Sequence, residues 1–387
     1  MTAKNNIPTG YKDSAVGIIP QEWEVDRLGE ICLTFKSGTT ITSQSIKESG
    51  IYPVYGGNGL RGYADSYTHN GDYILIGRQG ALCGNINFIR GKAYISEHAI
   101  AVQPNESNSI EFLRYKLDFW NLNRFSESSA QPGLSVEKLV RYKLAVPPME
   151  EQRKIAEILG VWDEAIEKQS RLIEKLELRK RALMQRLLTG RVRLSGFTTP
   201  WQKIKLGEIF KERNETRCEE LPLLSITADK GVILQSESDK KDTSNDDKSK
   251  YKRICSNDIG YNTMRMWQGR SALSSLEGIV SPAYTIVTPK VDVDMMFVSE
   301  LIKQPRVVYD FWTHSQGLVG DTLNCKFHDF SQVKVAIPSL PEQKAIAEVL
   351  TAADNEIATH RKKLDALRQQ KRGLMQQLLT GKTRVKI

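Results

Sequence analysis

The chain is written twice, and that fact constrains its fold more than any other. From Pro147 it reads PPMEEQRKIAEILGVWDEAIEKQSRLIEKLELRKRALMQRLLTGRVR, and from Pro338 PSLPEQKAIAEVLTAADNEIATHRKKLDALRQQKRGLMQQLLTGKTR. At a constant offset of 191, 20 of these 47 positions are identical without a gap. A repeat of this kind marks one structural unit used twice. A weaker repeat precedes each copy. Trp23 followed by LGEI from Leu28 recurs as Trp201 followed by LGEI from Leu206, at an offset of 178. The second intervening segment is therefore 13 residues longer, and the wholly polar stretch Ser236–Lys250 could hold the surplus as a solvated loop.

The repeated segments predict long helices. Ile155, Leu159, Trp162, Ile166, Gln169, Ile173, Leu176, Lys180, Leu183 and Leu187 alternate spacings of four and three. Ile346, Leu350, Ala353, Ile357, His360, Leu364, Leu367, Lys371, Leu374 and Leu378 keep the same register. This is the seam of a coiled coil. Pro147 and Pro338 precede the helix starts, and Gly190 and Gly381 stand at C-cap positions. Each helix has one narrow apolar stripe, so its natural partner is the other copy. An antiparallel pair needs no long return of the chain. It would set the two variable domains at opposite ends, related by a pseudo-two-fold axis. It would also bring the C-terminal LLTGKTRV near Trp23, a near-circular plan.

The variable segments mix strand and helix. IYPVYG from Ile51, DYILIG from Asp72, IVSPAYTIVTP from Ile279 and KVAIP from Lys334 are short β-branched and aromatic runs bounded by turn residues. EFLRYKLDFWNLNRF from Glu111 and FVSELIKQPRVVYDFW from Phe297 read as helices at comparable places. The expected fold is α+β, divided into an N-terminal arm (1–22), a variable domain (23–146), a helix (147–191), a second variable domain (192–337) and a second helix (338–387).

Composition narrows the function. No run approaches the ~20 apolar residues of a membrane span, and the first thirty residues lack the apolar core of a signal peptide. Five scattered cysteines, none spaced C-x-x-C, fit a reducing cytoplasm and exclude a zinc ribbon. The net charge of +9 suggests an acidic partner such as DNA, although the variable domains carry only +1 each and the surplus lies in the helical segments.

Motifs that suggest catalysis fail on context. GNGLRG, from Gly57 to Gly62, fits a dinucleotide fingerprint but runs into the turn-rich YADSYTHNGDY instead of a helix. Gly381-Lys382-Thr383 leaves a helix where a phosphate-binding loop would open one. No catalytic or metal-binding set is expected. Candidate base-reading residues come from loops: Arg78 and Gln79 in GRQGALCG, and Arg265, Trp267, Gln268 and Arg270 in MRMWQGR. Arg suits guanine O6/N7 and Gln suits adenine N6/N7. Asn58, Arg61, Tyr63 and His98 are further candidates; against all of them stands the plainer reading of polar turns with a packed Trp267. The basic helix halves (Lys175, Arg179, Lys180, Arg181, Arg186; Arg368, Lys371, Arg372) suit the helix dipole, or docking of phosphates or an acidic partner.

The helix starts PPMEEQRKIAEIL and PSLPEQKAIAEVL, the L-M-Q-x-L-L-T-G ends, the W-x₄-L-G-E-I starts, YGGNGLRGY from Tyr55 and SEHA from Ser96 together resemble the specificity (S) subunit of bacterial type I restriction-modification enzymes. The resemblance covers nearly all of the chain. It implies two target recognition domains, each reading half of a bipartite double-stranded DNA site, with the paired helices as ruler and dock for two adenine-N6 methyltransferase (M) subunits. Two motor-nuclease (R) subunits would join for restriction. S-adenosylmethionine would belong to M, ATP and Mg²⁺ to R, and no cofactor to this chain. A type IIB or IIG specificity chain, or a coiled-coil adaptor without DNA readout, are the alternatives.

Overall fold

The structure, a computed structural model, describes residues 7–80, 82–126, 132–227, 230–238, 242, 244–317 and 323–387. Two compact units are found. One comprises residues up to Ser170 together with Lys362–Ile387, the other Arg171–Arg361, so each long helix contributes to both.

In the first unit, β1 (Glu24–Arg27) and β2 (Cys32–Ser37) are followed by the hairpin β3 (Tyr52–Gly56) and β4 (Gly59–Ala64). Then come β5 (Tyr73–Gly77), β6 (Ile86–Ile89), β7 (Lys92–Ile95), β8 (Ala99–Pro104), helix α1 (Ile110–Phe119) and β9 (Lys143–Val146). The main sheet is antiparallel in the order β2-β8-β5-β6, and a second sheet runs β4-β3-β7 with His69–Asn70 at its edge. Ile74, Leu75 and Ile76 of β5 are all fully buried. A strand covered on both faces needs such an unbroken apolar run.

The second unit repeats the main sheet. After β10 (Gln202–Lys205), strands β11 (Phe210–Glu212), β12 (Ile259–Asn262), β13 (Ser271–Leu273) and β14 (Tyr284–Pro289) assemble in the order β11-β14-β12-β13. That is the same succession as β2-β8-β5-β6. The helix expected from Phe297 is instead two, α3 (Met295–Leu301) and α4 (Pro305–His314). Pro305 lacks an N–H and crowds the preceding turn, so one helix ends before it and another starts on it. IVSPAYTIVTP likewise forms two strands, Gly278–Val280 and β14, split by a turn. Of the loop expected over 236–250, residues 239–241 and 243 lie outside the described residues; Gln235–Glu237 forms a single 3₁₀ turn.

The repeated LGEI is explained by one local design. Leu28, Ile31, Leu206 and Ile209 are core residues. Glu30 and Glu208 accept hydrogen bonds at 2.9 Å from the backbone N–H of Arg27 and Lys205. A Cβ on Gly29 would meet Val140 at 3.0 Å, and one on Gly207 would meet Ser331 at 2.8 Å. Each segment then closes on itself: β1 pairs with β9 and β10 with the final strand, β15 (Lys334–Ile337), Glu24 opposite Val146 and Gln202 opposite Ile337.

Those closing strands feed the long helices α2 (Met149–Leu187) and α5 (Leu340–Leu378), each 39 residues. Within each unit the two helices run antiparallel. Lys371 reaches Asp163 at 2.5 Å in the first unit, while Lys180–Asp354 (2.7 Å) and Arg361–Glu177 (2.6 Å) join them in the second. At the seam spacing Ile155, Leu159, Ile173, Leu176, Leu187, Ile346, Leu350, Ile357, Leu364 and Leu378 are buried, and Trp162, Ile166, Leu183, Leu367 and Leu374 are half-buried.

The other repeated residues build an equivalent joint in each unit. Glu151, fully buried, accepts from the Trp23 indole at 2.9 Å and from Arg384 at 2.7 and 2.9 Å. Glu342, equally buried, accepts from Arg193. Gln152 takes the backbone N–H of Ser109 at 2.8 Å, as Gln343 takes that of Asp294 at 3.0 Å. Gly381 packs on Pro20 and Trp23, as Gly190 packs on Trp201. The arm joins in: Tyr11 donates its hydroxyl to Gly381 O at 2.9 Å, and its first six residues lie outside the described residues.

Candidate nucleic-acid interface

In the first unit two glycines gather the candidate residues. A Cβ on Gly57 would lie 2.8 Å from His98 O, and one on Gly77 2.8 Å from Gly57 O. Without side chains there, the β3–β4 turn lies directly against the end of β5. Asn58 stands exposed on that turn, and Arg78 follows β5 with its N–H donating to His98 O at 2.9 Å. His98 Nδ1 lies 3.2 Å from Gln79 Oε1, and its Nε2 lies 3.4 Å from Glu97. The Arg61 side chain passes beside Gly56. Tyr63 sits farther along β4, where its backbone exchanges hydrogen bonds with Lys47, and so is not brought to this group. Ala81 of GRQGALCG lies outside the described residues.

Sequence reasoning missed two groups beneath the turn. Ser96 Oγ and Asn87 Nδ2 are buried without a hydrogen-bond partner among the described residues. They lie in the neighbourhood of Gly56 and Gly59, where ideal Cβ positions would be 3.5 Å from Ser96 Oγ and 3.6 Å from Asn87 Oδ1. Buried polar groups normally find partners. Ser96 opens the SEHA quoted above; nothing in sequence distinguishes Asn87.

In the second unit the corresponding connection, from β12 to β13, carries Arg265, Trp267, Gln268 and Arg270. A 3₁₀ turn over Met266–Gln268 ends at Gly269 with φ of +73°. Met266 is fully buried and anchors it. Arg265, Gln268 and Arg270 line an open groove with Asn262, Tyr284 and Lys303, and no carboxylate lines it among the described residues. Trp267 is outside this lining; its indole N–H donates to Met264 O at 2.9 Å, within its own turn. Ser271, at the groove, keeps a buried Oγ with no partner among the described residues.

The chain matches the Type I restriction modification DNA specificity domain over residues 20–178 and 301–369. It belongs to that family. A type I restriction enzyme EcoprrI specificity subunit from Escherichia coli is 43% identical over 159 residues, 40% of this chain and 39% of the relative. The putative MjaX specificity subunit of Methanocaldococcus jannaschii is 26% identical and covers 97% of both chains. In fold, the chain is similar to the type I restriction-modification S subunit from M. genitalium, with a TM-score of 0.60, 15% identity and 98% of both chains covered. The family match takes in Trp23 and Glu151 of the first joint, and Glu342 and Gln343 of the second.

Two groups of the family frame remain chemically notable. Lys116, fully buried, donates its ammonium to Leu379 O at 2.6 Å near the end of α5, and burial pushes its pKa down to about 8. The position seven residues earlier is the cap Ser109, so its counterpart behind Asp294 is Leu301. Tyr115 donates to Asp163 at 2.6 Å, which, with Lys371, fastens α1 to the helix pair. Among the described residues no group of His, Cys, Asp and Glu is placed to hold a metal, and no helix is long and apolar enough to cross a membrane.

Proposed function

We propose that this chain is the DNA specificity subunit of a cytoplasmic type I restriction-modification system, reading a bipartite double-stranded target. Residues 23–146 and 192–337 are its target recognition domains, each taking one half-site. The helices of 147–191 and 338–387 set the unread gap and dock two methyltransferase subunits; residues 1–22 form an arm at the first joint. One observation carries the reading. The same strand connection in two dissimilar segments bears Arg with Gln, Arg78-Gln79 in one and Arg265, Gln268 and Arg270 in the other, the latter over a groove that no carboxylate lines among the described residues. Arg offers two donors to guanine O6 and N7, while Gln accepts from adenine N6 and donates to N7. Surrounding cations supply affinity through phosphates, in a salt-dependent way.

The chain itself is non-catalytic. Adenine-N6 methylation with S-adenosylmethionine belongs to the M subunits, and ATP-driven cleavage with Mg²⁺ to two R subunits. The test is methylome sequencing of cells expressing the chain with its methyltransferase partner. Methylated adenines in one motif of two specific halves around a fixed gap are expected. Methylation that needs the partner alone, or a motif without a gap, would overturn the proposal.

A further inference from the structure

Beside the groove of the second unit lies a smaller cavity of about 530 Å³ whose lining is cationic. It is lined by Arg181, Met184 and Arg191 from the end of α2 and the turn after it, and by Lys303, Gln304 and Arg306 at the start of α4. Gln304 is the N-cap of that ten-residue helix, but its side chain makes no capping hydrogen bond. It is 94% buried by its 6% exposure, lines the cavity, and its amide has no hydrogen-bond partner among the described residues. Pro305 at the first helical position has no N–H to offer. The next donors, on Arg306 and Val307, are those that no helix carbonyl can satisfy. Arg181 and Arg191 have no ion pair among the described residues. Lys303 and Arg306 have Glu300 and Asp310 at 3.0 and 3.6 Å, but neither carboxylate lines the cavity.

We propose that this cavity seats a backbone phosphate of DNA, and that the seat exists in only one of the two units. An open helix N-terminus, the unpaired amide of the buried Gln304 and four cations converge there, which is the donor set for a phosphodiester. Lys303 lines both the cavity and the groove that holds Arg265 and Arg270, so one strand can pass from seat to groove. The first unit lacks the equivalent. At the offset of 191, Arg372 and Met375 replace Arg181 and Met184 in the matching cavity, but Asp118 stands where Lys303 does, counted nine residues from the caps Ser109 and Asp294. Asn85, Asn121 and Asn123 also line it, and among the described residues its charges are one cation against one carboxylate.

The inference rests on the DNA-reading proposal, and the test separates the two. The full chain with its methyltransferase subunits is titrated with its methylated-motif duplex across a range of salt. Each phosphate contact contributes about 0.9 to the slope of log K against log salt. R181Q and R306Q should each make the slope shallower by about that amount, with the methylation motif unchanged; Q304L should weaken binding at every salt concentration; R372Q should leave the slope as it is. Slopes unchanged in R181Q and R306Q would overturn the seat. So would loss of methyltransferase subunits from the purified complex without a change in slope, which would make the cavity a dock for an acidic protein segment. A wild-type complex without salt-dependent binding would instead refute DNA reading itself.

Discussion

At the scale of single residues, the proposed base readers and the framework are different side chains. Arg78→Ala or Arg265→Ala should relax one position of the target by about 1–3 kcal/mol and leave the rest of the motif in place, measured by methylation of a randomised duplex library. Lys116 tests the framework by pH. Its folded pKa lies below the ordinary 10.5, so between about 8 and 10.5 the unfolded chain binds more protons and stability rises with pH. Thermal unfolding of the full chain should show that rise, and Lys116→Met should lose most of it. Equal pH slopes in the two proteins would show that the ammonium is not desolvated. The candidate residues were partly legible in sequence: hydrogen-bonding side chains beside turn glycines pointed to Arg78, Gln79, Arg265, Gln268 and Arg270, which lie on corresponding strand connections of the two units. Tyr63 and Trp267 fell elsewhere, since a strand position and a turn's own hydrogen bond decide where they sit. Asn87, Ser96 and Ser271 could not be picked out as unpaired buried groups, because lacking a partner among the described residues is a property of tertiary contacts.

At the scale of elements, the helices were the most legible part. A seam kept over ten positions admits one periodicity, and Gly190 and Gly381 do end their helices with φ of +67° and +73°. The split at Pro305 was also visible in KQPR, yet the apolar spacing of FVSELIKQPRVVYDFW concealed it. Two glycines of the C-terminal region make opposite predictions. Gly381 has a positive φ, and a Cβ there would stand 2.5 Å from Pro20, so Gly381→Ala should cost about 1–3 kcal/mol at the first joint. Gly373 lies inside α5 with nothing within 4 Å of its Cβ position, so Gly373→Ala should add about 0.5–1 kcal/mol. Chemical denaturation of the two variants checks both signs.

At the scale of the whole chain, two segments of dissimilar sequence build one sheet order and end in one kind of joint. The repeated motifs are the joints: Trp23, Glu151, Arg384 and Gly381 meet in one unit, and Trp201, Glu342, Arg193 and Gly190 belong to its counterpart in the other. The connections that carry Arg and Gln differ between the two segments, as does the helix split at Pro305. Because β1 and β9 pair with Glu24 opposite Val146, residues 23–146 enter and leave at one place and can be exchanged as a block. The most direct test replaces that block with the corresponding domain of a relative and sequences the methylome with the unchanged methyltransferase partner. One half of the methylated motif should change, while the other half stays as it was. A motif altered in both halves, or in neither, would contradict the reading of this chain as two independent DNA-reading modules.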